Sequence, residues 1–457
     1  MPTVKHLILG SGISGISASY HLGHEECTLL EKKSHAFGHL ASSCINGFTW
    51  DEGPHVSFTS SPYVRQLFEE SVAGKCEDYP VAVGNWFHGN WIDHPAQSNL
   101  YQAPAEIRER VLESFLASRG DADPSSALTN YGEWIEQAFG REFSDFFPRP
   151  YTRKYWTLDP EKMGVDWVGG RVFRPSIEDV VRGAIGPLER KTHYIKTVRY
   201  PEHGGFQSFV EGMARGANFE FGREVTSIDL VARIVVTADG CEWKYETLVN
   251  TLPLPVFVGL CVQSTLEMKQ AAGELDCSKL LLVNVTAPHS TRRPEHWLYV
   301  YDEDMLSTRI NFTESLSPNN APAGHTGIQV EVYFSRHRPL PATADEIRSR
   351  VIGELLTMKL LDTDTVGDAD AVVKRVDWAN VIFTLETPGL LDVIWNGLEP
   401  QGLVREPDDL HPLTNWGELE AWNPGPLVMA GRFGQWKYFW SDDCVLRGKH
   451  LGGGRKA

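Results

Sequence analysis

No two cysteines in this sequence stand at CxxC spacing. The seven that occur, at 27, 44, 76, 241, 261, 277 and 444, are scattered and odd in number. That pattern excludes a zinc knuckle or a disulfide framework and fits reduced thiols in a cytoplasmic protein, so no metal site is expected. No apolar run approaches the ~18 residues needed to cross a bilayer. The opening run TVKHLIL at 3–9 passes straight into a glycine turn, so it reads as a strand and not a secretory leader. No basic amphipathic or lipidation motif offers a membrane anchor. Basic residues are in deficit, with 43 Lys and Arg against 60 Asp and Glu and a formal net charge of −17. Nucleic-acid binding needs a broad basic surface and is therefore not expected. Internal repeats and low-complexity tracts are also lacking.

What remains is ordinary globular chemistry. The 457 residues suffice for two or three domains, each with its own core. The first strand is followed by GSGISG at 10–15, then by the helical pattern ISASYHL and a second strand TLLEK at 28–32. This is a βαβ opening. Gly10, Gly12 and Gly15 match GxGxxG. The first allows the tight turn, the second lets main chain approach a pyrophosphate, and the third lets helix and strand pack closely. The anion sits on the helix N-terminus, where free N–H groups point at it. Glu31 ends the second strand, placed to accept from ribose hydroxyls. The motif identifies a dinucleotide but does not separate FAD from NAD.

Further along, IRERVLESFLAS at 107–118 sets Ile107, Val111, Leu112, Phe115 and Leu116 on one helical face. Residues from about 85 to 195 read mainly as helices and loops rich in Trp and Tyr. The run RIVVTADGCEWKYETLVNTLP carries an Asp239–Gly240 turn between two strand-like stretches, a hairpin signal. From about 280 to 390, LLLVNVTA, WLYVYD, STRINFT and IQVEVYF read as strands.

One stretch stands out against the acidic whole. In RPYTRKYWTLDP at 149–160, Arg149, Arg153 and Lys154 interleave with Tyr151, Tyr155 and Trp156. Guanidinium forks bind phosphate oxygens bidentately, and aromatic faces stack on a base or on the C–H surface of a sugar. The stretch therefore reads as the cleft for a nucleotide-diphosphate sugar. Taken singly, each of these residues also admits a plain packing or surface role.

Several segments then fall into one order: GHLASS at 38–43, GPHVSFTS at 53–60, FGREVTSI at 221–228 and MAGRFGQWKYFWSDD at 429–443. Together with the glycine motif they resemble the flavoprotein superfamily of protoporphyrinogen oxidases, amine oxidases and UDP-galactopyranose mutases. The resemblance implies FAD along the N-terminal fold, held by Gly10, Gly12, Ser14, Gly15, Glu31, Lys32, Gly38, His55, Val225, Gly431, Arg432, Ser441 and Asp442, with Val225 pairing with the adenine. Within the superfamily the sequence is most similar to the mutases. Their Tyr-Thr-x-Lys-x-Trp segment is matched by Tyr151 to Trp156, their arginine pair by RVFR at 171–174, and a later Tyr-x-x-x-Gly-Gly by Tyr200 to Gly205. By this likeness Arg171, Arg309, Tyr438 and His55 are the catalytic candidates, with Arg174 in reserve for Arg171. Tyr151, Tyr155, Trp156, Arg174 and Asn99 are implied on the substrate. Three places depart from the mutase pattern. Phe58 stands for a second histidine, Trp440 for an acid, and Phe383 and Glu386 for a tyrosine-rich segment.

The expectation is an α/β protein with a doubly wound, Rossmann-like FAD domain from 1–84, 200–275 and 400–457. A mainly helical insertion at 85–199 and an antiparallel sheet domain at 276–399 complete it. The implied activity is pyranose/furanose isomerisation of a nucleotide-diphosphate sugar, with N5 of reduced flavin as nucleophile and an external electron donor to keep it reduced. The alternative is an FAD-dependent oxidase or dehydrogenase of the amine oxidase or protoporphyrinogen oxidase type. Self-association is compatible with the sequence.

Overall fold

The computed structural model describes residues 1–120, 128–168, 172, 174–188, 195–288, 293–405 and 424–453. At its centre strand Thr3–Leu9 lies parallel to Cys27–Glu31 on one side and to Glu242–Asn250 on the other. Leu7, Ile8 and Leu9 are fully buried and all of Cys27–Glu31 is buried, as a parallel strand covered on both faces requires. Phe219–Phe221 extends the sheet beyond Cys27–Glu31, and Leu427–Met429 pairs in parallel with the far end of Glu242–Asn250. The expected hairpin is present: Ile234–Thr237 runs antiparallel to the start of Glu242–Asn250. Its turn is held by Asp239, whose Oδ1 accepts from Thr237 Oγ1 at 2.6 Å.

The two ends of the chain close on each other. Helix Ile13–Leu22 packs along helix Ser441–Leu451, and Ser17 Oγ donates to the Val445 carbonyl at 2.8 Å. A side chain on Gly448 would meet Ser17 Oγ at 2.1 Å, so glycine there is what allows the contact. The first sheet and its helices are thus assembled from segments far apart in sequence.

A second sheet runs in the order Asp370–Ile382, Asp276–Pro288, His325–Phe334, Arg309–Phe312, Trp297–Val300, Val83–Phe87, Asn90–Asp93. It is antiparallel except where Trp297–Val300 meets Val83–Phe87. The region expected to be mainly helical therefore begins with strands of this sheet. Val83–Phe87 is buried throughout, so it lacks the polar alternation that marks a strand, and its parallel partner lies far along the chain. At the other boundary, Ile394 and Leu398 of helix Thr387–Leu398 join the core under the first sheet.

Helices Ala105–Gly120, Tyr131–Phe139, Arg141–Phe146, Pro148–Tyr155 and Ile177–Ile185 pack together beside Phe87, Ile92 and Ile382 of the second sheet. They surround a core that includes Val111, Phe115, Phe143, Phe147 and Trp156. The apolar stripe on the first of them is narrower than expected, since Leu116 is 44% exposed. No helix among the described residues is long and apolar enough to cross a membrane, and no described cluster of His, Cys, Asp or Glu could hold a metal.

Candidate active site

A cavity of about 930 Å³ runs from the glycine turn to the space between the helices and the second sheet. At the glycine end its wall is main chain. Gly10 has φ +95°, and Gly12 caps helix Ile13–Leu22 with no side-chain hydrogen bond and no acid in the first turn. The first N–H groups of that helix are left for a ligand. Gly38, at φ +54°, brings its loop onto this turn; a Cβ there would sit 3.1 Å from the Gly12 Cα. Gly15 faces inward instead: its Cβ would lie 2.2 Å from the Gly10 carbonyl oxygen, which is the close-packing role expected of the third glycine.

Glu31 approaches the cavity with its carboxylate already engaged. Oε2 accepts from Ser11 N at 3.1 Å and Ser11 Oγ at 2.7 Å, and Oε1 from Lys33 N at 2.9 Å. Ser14, Lys32, Val225, Gly431, Arg432, Ser441 and Asp442 line the same cavity. Gly431 has φ +85°, and a Cβ there would meet Ser14 Oγ at 2.5 Å, so glycine lets the C-terminal segment close over the first helix. Arg432 Nε donates to the Phe439 carbonyl at 2.8 Å and Nη1 to Asn380 Oδ1 at 3.0 Å. The turn that places Arg432 and Tyr438 carries a buried Trp436 at φ 55°, a strained conformation for a bulky residue. An uncapped helix N-terminus and glycines where a Cβ would intrude fit the pyrophosphate of a dinucleotide.

His55 lies on the wall beyond the glycine end, its ring 5.6 Å from that of Phe206. Its Nδ1 is 3.1 Å from the Gly53 carbonyl. A carbonyl only accepts, so Nδ1 carries the proton and Nε2 is the acceptor. Burial pushes this imidazole down to about 4, and the Arg309, Arg432 and His39 charges push the same way. His55 is therefore neutral at pH 7.

Arg309 opens strand Arg309–Phe312 and faces its cross-strand partner Glu331. Nε donates to Oε2 at 2.6 Å and Nη2 to Oε1 at 2.7 Å, a bidentate pair. Tyr333 OH adds a bond to Oε2 at 3.1 Å. Burial works against the Arg309 charge, and the Glu331 carboxylate with the neighbouring Tyr333 and Tyr155 holds the guanidinium above its ordinary pKa.

Helix Pro148–Tyr155 divides the cluster singled out in the sequence. Tyr151, Thr152 and Tyr155, with Trp156 just beyond, line the cavity. Tyr151 and Tyr155 are four residues apart, and their rings stack at 5.6 Å. Tyr155 meets Tyr333 at 4.7 Å, and Trp156 meets Trp167 at 5.0 Å and Tyr438 at 5.3 Å. The cations do not share this face, which corrects the expectation that they gather at the ligand. Arg149 pairs with Glu136, Asp145 and Glu161. Arg153 holds Glu303 at 2.8 and 2.6 Å. Lys154 is fully buried and its Nζ donates to the carbonyls of Val300, Asp302 and Ser307. The reason is the helical period: Arg149 and Arg153 lie about half a turn round from Tyr151 and Tyr155.

Two other expected substrate residues lie off the wall. Arg174 is exposed, bonded to Gln137 at 3.2 Å and lying 4.6 Å over the Trp134 ring. Asn99 turns back on its own loop, donating to the Pro95 carbonyl at 3.1 Å, while His94, Pro95 and Gln97 form the wall there. Arg171 lies outside the described residues. Of the departures from the mutase pattern, Phe58 and Trp440 both line the cavity and touch edge to face at 4.6 Å. Phe383 instead stacks on Trp167 at 6.0 Å. Glu331, Tyr299, Tyr301, Tyr333 and Trp167 line the cavity without having been singled out from the sequence. For Glu331 a signal existed: a carboxylate inside the apolar run IQVEVYF, two residues from Tyr333 and so on its face.

The chain belongs to the flavin-containing amine oxidoreductase family, whose description matches residues 13–390. It is a flavoenzyme. A structure of reduced UDP-galactopyranose mutase superposes with a TM-score of 0.85 over 98% of this chain and 94% of that one, at 21% identity. An Exiguobacterium sp. 255-15 protein described as a candidate protoporphyrinogen oxidase superposes with a TM-score of 0.69 at 16% identity, over 98% of both chains. In sequence, the chain is 24% identical over 228 residues to protoporphyrinogen oxidase 2, chloroplastic/mitochondrial, of Arabidopsis thaliana. That match spans 45% of this chain and 44% of the plant protein. The mixed α/β fold with an antiparallel sheet domain is thus that of the mutase structure.

Proposed function

We propose that this flavoenzyme binds FAD and isomerises a nucleotide-diphosphate sugar between ring forms. The observation that carries the reading is the meeting of Arg309, Tyr438, Tyr155 and Trp156 on one cavity that continues into the glycine-lined end. A fold shared along nearly its whole length with UDP-galactopyranose mutase supports it. Bound and reduced, FAD supplies a nucleophilic nitrogen toward the anomeric carbon. Tyr155 and Trp156 offer ring faces to the base or the sugar. Arg309 and Tyr438 offer donors to the diphosphate as it leaves and returns. Neutral His55 offers Nε2 as an acceptor beside the flavin. An external donor supplies the electrons that keep the cofactor reduced.

Two observations favour a second reading, oxidation of an apolar or aromatic substrate. Glu331 neutralises Arg309, and Phe58 with Trp440 adds apolar wall. The test is anaerobic incubation of the flavin-loaded protein with a panel of nucleotide-diphosphate sugars, with and without dithionite, analysed by chromatography and NMR. A sugar isomer formed only with reduced flavin is the expected result. No isomer, together with bleaching of oxidised flavin by a substrate, would replace it with the oxidase reading.

A further inference from the structure

The Arg309–Glu331 pair is unusual in where it sits. Glu331 is 1% exposed, yet its carboxylate belongs to the cavity wall. It uses both oxygens on Arg309, and Tyr333 bonds one of them as well. Arg309 spends Nε and one side of Nη2 on this contact, and no hydrogen bond links its Nη1 to a described residue. The guanidinium side chain is 21% exposed. Its second edge is therefore free while its plane is fixed. The loop that carries His55 is shaped around the same pair. Gly53 has φ +92°, and a Cβ there would fall 2.7 Å from Glu331 Oε1 and 3.9 Å from Arg309 Nη2.

We infer that Glu331 is a positioning and specificity residue, which orients Arg309 so that its free Nη edge meets one phosphate and cancels its charge so that phosphate alone is held weakly. This rests on the nucleotide-diphosphate reading above. A long arginine side chain at a strand end sweeps a wide volume unless a second group fixes its plane, and a bidentate carboxylate does so. An anion arriving at the free edge also feels the carboxylate behind it, in a buried setting where charges are poorly screened. Binding energy must then come from the base and sugar on the aromatic wall, so a bare diphosphate does not saturate the site. That arrangement lets the leaving diphosphate be held without being trapped.

The experiment titrates inorganic pyrophosphate and UDP into the oxidised, flavin-loaded protein and follows the flavin absorbance and calorimetric heat. Wild type, Glu331→Gln and the double variant Arg309→Met with Glu331→Met are compared. The amide keeps the size and one acceptor but removes the charge. The expected result is at least tenfold tighter pyrophosphate binding in Glu331→Gln, with a steeper loss of affinity as salt rises. The double variant, which replaces a buried ion pair by apolar groups of similar volume and so keeps the fold, is expected to lose pyrophosphate binding. Equal affinities in wild type and Glu331→Gln, or wild-type binding in the double variant, would overturn the role of Glu331. If UDP still binds in that case, the nucleotide reading stands and only Glu331 falls. If neither UDP nor pyrophosphate binds wild type or Glu331→Gln, both fall.

Discussion

The two ends of the cavity are built by opposite means. At the glycine turn, Gly10, Gly12, Gly38 and Gly431 bring main chain to the wall, where a side chain would intrude or block the approach. At the far end the wall is side chain. Tyr151 and Tyr155 of helix Pro148–Tyr155 and Tyr299 and Tyr333 of the second sheet gather near Arg309. Main chain offers the same N–H groups whatever surrounds it, so the first end suits a fixed cofactor. Side chains take their meaning from their partners, so the second end can change its substrate by changing one neighbour. Helix Pro148–Tyr155 shows the same division within eight residues, with rings on the ligand face and paired cations on the other.

Substitutions can break this contrast, and the sharpest lies within the glycine motif. A Cβ at Gly12 meets nothing nearer than the Gly38 Cα at 4.0 Å, so Gly12→Val is expected to fold and to lose flavin. A roughly hundredfold weaker flavin affinity, read from the 450 nm to 280 nm absorbance ratio after dialysis, is the expected size. Gly15→Val meets the Gly10 carbonyl oxygen and is expected to cost stability instead, on the order of 3 kcal/mol. A Gly12→Val protein that stays yellow would remove the main-chain site.

Next in size is Lys154→Met, which leaves three carbonyls without their donor. A loss of about 3 kcal/mol in denaturant unfolding is expected, from groups that are costly to bury unbonded. Any direct role in anion binding would instead appear as weaker UDP binding with stability unchanged.

Acid sharpens the comparison differently. Burial is the largest cause in holding His21, His55 and His450 down to about 4, from an ordinary 6.5. Between those values the unfolded chain binds more protons, so stability falls as pH is lowered from 6.5 to 4. Glu52, held down to about 2 against its burial by His39 and Lys374, extends the loss from 4.5 toward 2. Melting temperature against pH should therefore drop below pH 6.5; a flat curve to pH 4.5 would contradict the neutral, buried histidines. Arg153→Ala is the smallest case. Its pair with Glu303 is partly exposed, so less than about 1 kcal/mol and unchanged UDP affinity are expected. A large affinity loss would return the cations of this helix to the site.

The same division explains what could be read beforehand. The glycine motif was legible because a strand, a turn and a helix in one local stretch define it, and main-chain geometry needs no distant partner. The cations of 149–154 misled because what decides their role lies far off: Lys154 reaches carbonyls up to 153 residues away, and Arg153 a glutamate 150 residues away. Helical period alone could have separated Arg149 and Arg153 from Tyr151 and Tyr155. Strand Val83–Phe87 escaped notice because it is buried throughout and pairs with a strand more than two hundred positions along. Glu331 was visible as a charge in an apolar strand, but only cross-strand register shows that it faces Arg309.

The most direct test is a crystal structure of the oxidised, flavin-loaded protein soaked with UDP. The expected result is density for the FAD pyrophosphate against Gly10–Gly12, and for the UDP diphosphate against the free edge of Arg309 and Tyr438, with the base between aromatic rings. UDP bound elsewhere, or an aromatic cavity that stays empty at saturating UDP, would contradict the proposal that these two ends form one flavin and nucleotide-sugar site.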